Sequence, residues 1–325
     1  MTTKVLLFGT GGVGAVYAYF LEKGGASVTA VCRSNYEAVL QNGISIDSAL
    51  FGQVTAHPSV ARTAAEAQKA HGPFDYIVVC AKAFPEIHTL ISAAVSPKTA
   101  IVLCQNGINI EAPYAAAYPS NTIISGVVYL PVTQTRPGHI RMGPLQKLHI
   151  GPFPAPGTPS AQEQTQKFAK IFEAGGGVIH VHPDVQTQRW LKLALNFALN
   201  PMCALTRLDD ANMYRSSATM PKAILDVMTE LTTVARAAGY EVSLELIQEQ
   251  LSRTKERQET GGKEPSMLTD VRENRALEVD AILGNAVTIA RQLGLETPRM
   301  DLLYALAQGL SYSIAPDERF RPLGM

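Results

Sequence analysis

KVLLFGTGGVG, residues 4–14, decides how the first half of the chain is read. KVLLF is a short, continuous apolar run of the kind that forms a buried strand. Glycines follow at 9, 11, 12 and 14, and a helical run continues to about Lys23. Gly9-Thr10-Gly11-Gly12-Val13-Gly14 fits G-x-G-x-x-G. Among 25 glycines that pattern is weak by itself, and the strand before it and the helix after it give it meaning. The first glycine makes the tight turn, the second lets backbone approach a pyrophosphate, and the third lets helix pack on strand. The anion then rests on the helix N-terminus, where N–H groups have no partner inside the helix.

Outward from this loop the pattern repeats. Residues 27–32 (SVTAVC), 75–80 (DYIVVC), 100–104 (AIVLC) and 122–129 (TIISGVVY) are short apolar runs separated by helical segments. Such alternation implies parallel strands with crossover helices. Residues 139–142 and 147–150 look like a hairpin, and the Pro- and Gly-rich stretch 151–159 reads as loop. A helix from about residue 161 and a strand near 178–181 close this half. The second strand ends Cys32-Arg33-Ser34-Asn35, without the Asp or Glu that binds the ribose hydroxyl of NAD. Arg33 and Ser34 suit a 2′-phosphate instead, so the expected cofactor is NADP(H).

From residue 184 onward strands give way to helices, expected over 184–200, 219–238, 243–256, 266–293 and 298–310. Gly294 reads as a helix C-terminus and Thr297-Pro298 as a helix start. The expected fold is α/β: a Rossmann-type dinucleotide-binding domain over 1–183, then an all-helical domain over 184–325. The polar stretch 255–264 (KERQETGGKE) reads as a loop or a frayed helix end.

Composition narrows the partners. Twenty-eight basic and 28 acidic side chains cancel, which gives no electrostatic case for nucleic acid or an anionic membrane. The partner expected is a small molecule or a second copy of the chain, as a homodimer. No run approaches the roughly 20 apolar residues of a membrane span, and the N-terminal run is too short for a signal peptide. Four cysteines without a CxxC pair imply a reducing, cytoplasmic setting and no metal.

The second informative stretch is RWLKLALNFALNP, residues 189–201. Steps of four residues turn a helix by about 400°, so Lys192, Asn196 and Asn200 drift only about 40° per step and form one polar stripe. Apolar residues surround it, which predicts a buried helix. Buried amides and ammoniums need partners. Those partners are either a structural network or a ligand, and two amides beside a lysine suit a small polar substrate. Further on, Ser266 follows Pro265 and opens a helix expected to run through Glu278. Ser266 is either its N-cap or a substrate contact, and Glu278 either a surface charge or part of the site.

FGTGGVG, CAKAF, CQNGIN, the 189–201 block, PSMLTD followed by LEVD, and LGLETP stand in an order and spacing that resemble ketopantoate reductases (2-dehydropantoate 2-reductases) along nearly the whole chain. The resemblance implies an active site between a Rossmann domain and a helical domain. It implies Lys192 as general acid, Glu278 as an acidic partner in catalysis, and Asn196, Asn200 and Ser266 as substrate hydrogen-bonders. It also implies that Lys82 and Asn106 lie near the nicotinamide, Asn106 touching cofactor or substrate. The segment 142–151 (MGPLQKLHIG) lacks the second glycine of the family pattern, and the charged loop before Ser266 is long. Both bear on the substrate mouth.

Chemically, NADPH would bring the hydride, and an ammonium at Lys192 would polarise the ketone and donate the proton. Glu278 beside it would hold the lysine charged despite burial. The expected substrate is a branched 2-oxo acid, 2-dehydropantoate first, in pantothenate biosynthesis. Other readings stand: a β-hydroxyacid or 6-phosphogluconate-type dehydrogenase, another 2-oxo acid reductase, and a non-catalytic NADPH-sensing protein.

Overall fold

The computed structural model of the chain describes residues 2–249, 251–252 and 261–315. Most of the polar stretch expected at 255–264, and the end of the helix expected over 243–256, lie outside the described residues. Two compact units form. The first comprises the chain up to Asn106 and Ile110–Val185; the second comprises Gly107–Asn109 and the chain from Gln186 onward. A single boundary at 183 does not allow for that tripeptide.

In chain order the strands of the first unit are β1 (Lys4–Phe8), β2 (Ser27–Val31), β3 (Ile44–Ser48), β4 (Gly52–Ala56), β5 (Ser59–Ala61), β6 (Tyr76–Val79), β7 (Ala100–Leu103), β8 (Ile123–Tyr129), β9 (Val132–Arg136), β10 (His139–Met142), β11 (Lys147–Phe153) and β12 (Ile179–Val181). The main sheet has the order β12-β11-β8-β7-β6-β1-β2-β5. From β5 across to β8 all neighbours pair parallel. β6 and β7 are buried at every residue. That is why they are continuous apolar runs: both faces of a parallel sheet are covered. Strand order reverses at β1, which has β2 on one side and β6 on the other. Such a switch point opens a crevice at the carboxyl ends of the strands.

A second sheet, β4-β3-β10-β9, lies against helix α1 (Gly12–Lys23). Sequence reading passed over β3, β4 and β9 because ISIDS and GQVTA alternate with only one side apolar, and VTQTR is polar after its first residue. Its discovery corrects the expected hairpin. β10 pairs with β9 and β3, whereas β11 pairs with β8 and β12 in the other sheet. β8 is buried along nearly its whole length and takes a seven-residue antiparallel partner, from Lys147↔Tyr129 to Phe153↔Ile123. β11 therefore runs on through Gly151-Pro152-Phe153, and the stretch 151–159 is loop only after that.

The second unit is helical around one apolar core. The helix Gln186–Thr206 does not stop at Asn200 but passes through Pro201. A proline in a helix interior costs about 3 kcal/mol, and here the buried flank of Trp190, Leu193, Ala194, Phe197, Ala198, Cys203 and Ala204 holds the helix together across it. Met220–Ala237 packs on this helix, and residues 244–249 and 251–252 are helical. The single helix expected over 266–293 is in fact three pieces. Ser266–Arg272 ends where Asn274 turns to φ 51°; a π-turn follows at Asp280–Gly284, then Asn285–Gln292. Pro298–Ile314 starts at Thr297 as expected. No helix among the described residues is long and apolar enough to cross a membrane.

Candidate active site

In the first unit the candidate residues stand in a row at the carboxyl ends of four adjacent strands. Asn106 follows β7, Lys82 follows β6, the glycine loop follows β1, and Arg33 and Ser34 follow β2. The three glycines have three different surroundings. Gly9 has φ +99°, and a side chain there would run into the Ala81 backbone. A Cβ on Gly14 would run into the Gly9 carbonyl and lie 3.3 Å from Cys80 Cβ. A Cβ on Gly11 would have no atom within 4 Å. Turn, helix-on-strand contact and open approach are the three duties that dinucleotide binding sets. Gly11 caps α1 without a side chain, and the first turn of α1 holds no acid, so its N–H groups are left for an anion. These residues fit a bound dinucleotide.

The loop is tied to β2 from beneath. The Thr10 hydroxyl donates to the Val31 carbonyl (2.9 Å), and Asn35 Nδ2 donates to the Thr10 carbonyl (2.7 Å). Both side chains are buried, so what Thr10 offers a ligand is its backbone. Val13 is half-buried on α1 beside Gly12. Arg33 and Ser34 are exposed, and among the described residues the Arg33 guanidinium has no polar partner. Below the loop, Cys80 and Cys104 are neighbours just past the ends of the adjacent strands β6 and β7, a proximity their spacing in sequence conceals. Burial, then the Cys104 neighbour, pushes the Cys80 thiol up, so it stays protonated and inert.

In the second unit the stripe helix has two unlike flanks. One flank is buried, as expected. Lys192 and Asn196 lie on the other, half-buried beside the half-buried Leu191 and Leu195. A helix buried on nearly every side is therefore not what forms; the polar stripe opens a partly apolar face. Asn200, one turn on, is 5% exposed, and among the described residues neither Asn196 nor Asn200 makes a side-chain hydrogen bond.

The helix Ser266–Arg272 packs against the stripe helix, and so does the π-turn that begins two residues after Glu278. Ser266 is not the cap: Pro265 occupies that position, and the exposed Ser266 hydroxyl bonds to nothing among the described residues. Glu278 is 8% exposed and sits in the segment entering the π-turn, not on a helix continuous with Ser266. Lys192, Asn196 and Asn200 on the stripe helix, Ser266 on a helix packed against it and Glu278 just before a π-turn packed against it thus belong to one unit, while the glycine loop, Arg33, Ser34, Lys82 and Asn106 belong to the other.

Sequence reading missed what holds Gly107–Asn109. Ile108 N–H donates to the Ala281 carbonyl (3.0 Å), Arg189 Nη1 to the Gly107 carbonyl (2.9 Å), and Asn285 Nδ2 to the Ile108 carbonyl (2.7 Å). Gly107 has φ +105°, and a side chain there would run into the Ala281 carbonyl. The π-turn has a local cause, since Ala281 gives its carbonyl to a strand of chain outside its own helix. Asn106 is one peptide bond from this anchored segment. A signal for Arg189 existed: a guanidinium on an apolar helix must be paired. Nothing marked Asn285.

Comparison with known proteins finds one family over most of the chain. The family model "Ketopantoate reductase PanE/ApbA" matches residues 5–155, and "Ketopantoate reductase PanE/ApbA C terminal" matches residues 184–311. An uncharacterized protein of Saccharomyces cerevisiae is 29% identical, covering 94% of this chain and 92% of its own. A 2-dehydropantoate 2-reductase of a Nostoc species is 26% identical, covering 93% of each. The crystal structure of 2-dehydropantoate 2-reductase from Methylococcus capsulatus superposes with a TM-score of 0.84 at 31% identity, covering 98% of this chain and 99% of that one.

Proposed function

We infer the reaction from one premise: the chain belongs to the ketopantoate reductase PanE/ApbA family, oxidoreductases that act on CH–OH groups and reduce 2-oxo acids with NADPH. We propose that the substrate is 2-dehydropantoate, reduced to pantoate, and that Lys192 is the acid. The observation that carries this reading is the open stripe, a lysine and an amide beside two half-buried leucines, with a second amide one turn on.

When bound, the cofactor supplies the hydride. The chain does the rest. Lys192 hydrogen-bonds the ketone oxygen, draws electron density onto it and gives it a proton as it becomes an alkoxide. Glu278, buried two residues before the π-turn that packs on the stripe helix, stabilises the ammonium form of that lysine. Asn196, Asn200 and Ser266 hold the carboxylate and hydroxyl of the substrate with neutral groups, which adds no negative charge beside an anion. Leu191 and Leu195 face the branched alkyl part and keep water from the carbonyl. Asn106 and Lys82 hold the nicotinamide end of the cofactor, and Arg33 and Ser34 its 2′-phosphate. With four free thiols, we place the enzyme in the reducing cytoplasm, in pantothenate biosynthesis.

The test is turnover of NADPH with a panel of 2-oxo acids: 2-dehydropantoate, its analogue lacking the hydroxyl, and an aryl-substituted acid. The reading expects the highest kcat/KM for 2-dehydropantoate. A preference of tenfold or more (about 1.4 kcal/mol) for another acid would replace the substrate and keep the reaction. Cofactor binding without turnover of any of them would leave a sensor.

A further inference from the structure

We propose that Arg62 is a second reader of the cofactor's 2′-phosphate, held ready by Tyr36 and kept neutralised by Glu37 until the phosphate displaces that carboxylate. The proposal rests on the reading that NADP(H) lies along the glycine loop with its adenosine end at β2.

Arg62 is the residue that follows β5. β5 runs parallel to β2, with Val31 opposite Ala61, and Cys32 N–H donates to the Ala61 carbonyl at 2.9 Å. Arg62 therefore leaves the sheet at the level of Cys32 and Arg33, one strand spacing of about 4.8 Å to the side. That is the carboxyl edge of the sheet, where doubly wound folds bind ligands. Its guanidinium carbon lies 3.9 Å from the centroid of the Tyr36 ring, and Nη2 bonds Glu37 Oε1 at 2.5 Å. Its backbone N–H is fixed by Glu66 Oε2 at 2.9 Å. The contact with the ring holds the guanidinium at this edge of the sheet, and a guanidinium bonded to Glu37 through Nη2 has further donors to offer.

This arrangement also accounts for an acid at the wrong place. Glu37 stands four residues after Arg33, within the first turn of the short helix α2 (Tyr36–Asn42). Left alone, a carboxylate beside the ribose would favour the 2′-hydroxyl of NADH and repel a phosphate. Paired with Arg62, it does neither. The pair is 55% and 66% exposed, so it is screened by solvent and readily exchanged for a doubly charged phosphate. Arg33 and Arg62 together then offer two forks to one phosphate, with Glu37 moving to water.

The full-length chain, its Arg62→Ala, Arg62→Lys and Glu37→Gln variants are titrated with NADPH, NADH, 2′,5′-ADP and 5′-AMP. Arg62→Ala is expected to weaken NADPH and 2′,5′-ADP by about 10- to 100-fold, the worth of one charged hydrogen bond, and to leave NADH and 5′-AMP nearly unchanged. Retained NADH binding doubles as the control for folding. Arg62→Lys, which keeps charge but not the flat fork, falls between, and Glu37→Gln tightens NADPH. Equal weakening of phosphorylated and unphosphorylated ligands, or no weakening at all, overturns the role of Arg62. If the unmodified chain itself binds NADPH no better than NADH, the underlying reading of the 2′-phosphate site falls, and this proposal with it.

Discussion

Lys192 is one side chain with two opposite consequences, depending on what it does. As the acid, its loss removes chemistry and spares the fold. Lys192→Ala is expected to lower kcat by about 10² to 10⁴-fold, the usual worth of a positioned acid, with NADPH affinity and melting temperature close to normal. The fold is spared because Lys192 is only half-buried, beside Leu191 and Leu195, and water reaches part of the vacated space. An early-melting variant with near-normal kcat per folded molecule would show a structural lysine. Ser266 is a cleaner case, because it caps nothing. Ser266→Ala should therefore leave the melting temperature alone and raise the substrate KM. An unchanged KM would remove it from the site.

At the scale of elements, the glycine loop gives a matched pair of substitutions. Gly14→Ala puts a methyl into the Gly9 carbonyl, a backbone atom that cannot step aside, and should cost about 1–3 kcal/mol as overpacking does. Gly11→Ala meets no protein atom and should cost about 0.5–1 kcal/mol as a cap change. Its methyl lies where the phosphates must come, so NADPH affinity should fall by at least about tenfold. Calorimetry and cofactor titration on the two variants check this; the same ranking in both measurements would mean that the loop is merely a turn. In the other unit, Arg189→Ala strips the donor from the buried Gly107 carbonyl and should cost about 1–3 kcal/mol. Arg189→Lys is not expected to rescue it, because the lysine head is shorter and lacks the fork. Full rescue by lysine would show that charge alone matters there.

For the molecule as a whole, pH dependence of folding follows from three histidines on neighbouring strands. His149 Nδ1 is 2.8 Å from His182 Nε2, and the ring of His180 lies 5.1 Å from that of His149. Burial first, then His182, His180 and Lys147, lower His149 from the ordinary 6.5 to about 4. His182 is lowered as well, by burial and by His180. Between those values the unfolded chain binds protons that the folded chain refuses, so stability falls as pH drops from about 6.5 toward 4. Thermal melts across that range should show the decline, and His149→Asn should flatten it. A profile identical in both proteins would exclude His149 as its source.

What the sequence by itself determined is local or periodic. Gly9, Gly11 and Gly14 declare a turn, an approach and a close packing because only glycine permits all three, and the four-residue step from Lys192 to Asn200 follows from helix geometry alone. The buried parallel strands were legible for the same reason: with both faces covered, they must be apolar throughout. Only the tertiary structure decided which strands meet. β10 and β11 are adjacent in sequence and belong to different sheets, because β8 and β3 recruit them from a distance and no pattern within four residues names its partner. It also decided that Arg62 leaves its strand level with Cys32 and that Arg189 and Asn285 hold Gly107–Asn109. In each case the deciding bond joins residues tens to more than a hundred positions apart. Such a bond exists only once the sheet and the helices have brought its two ends together.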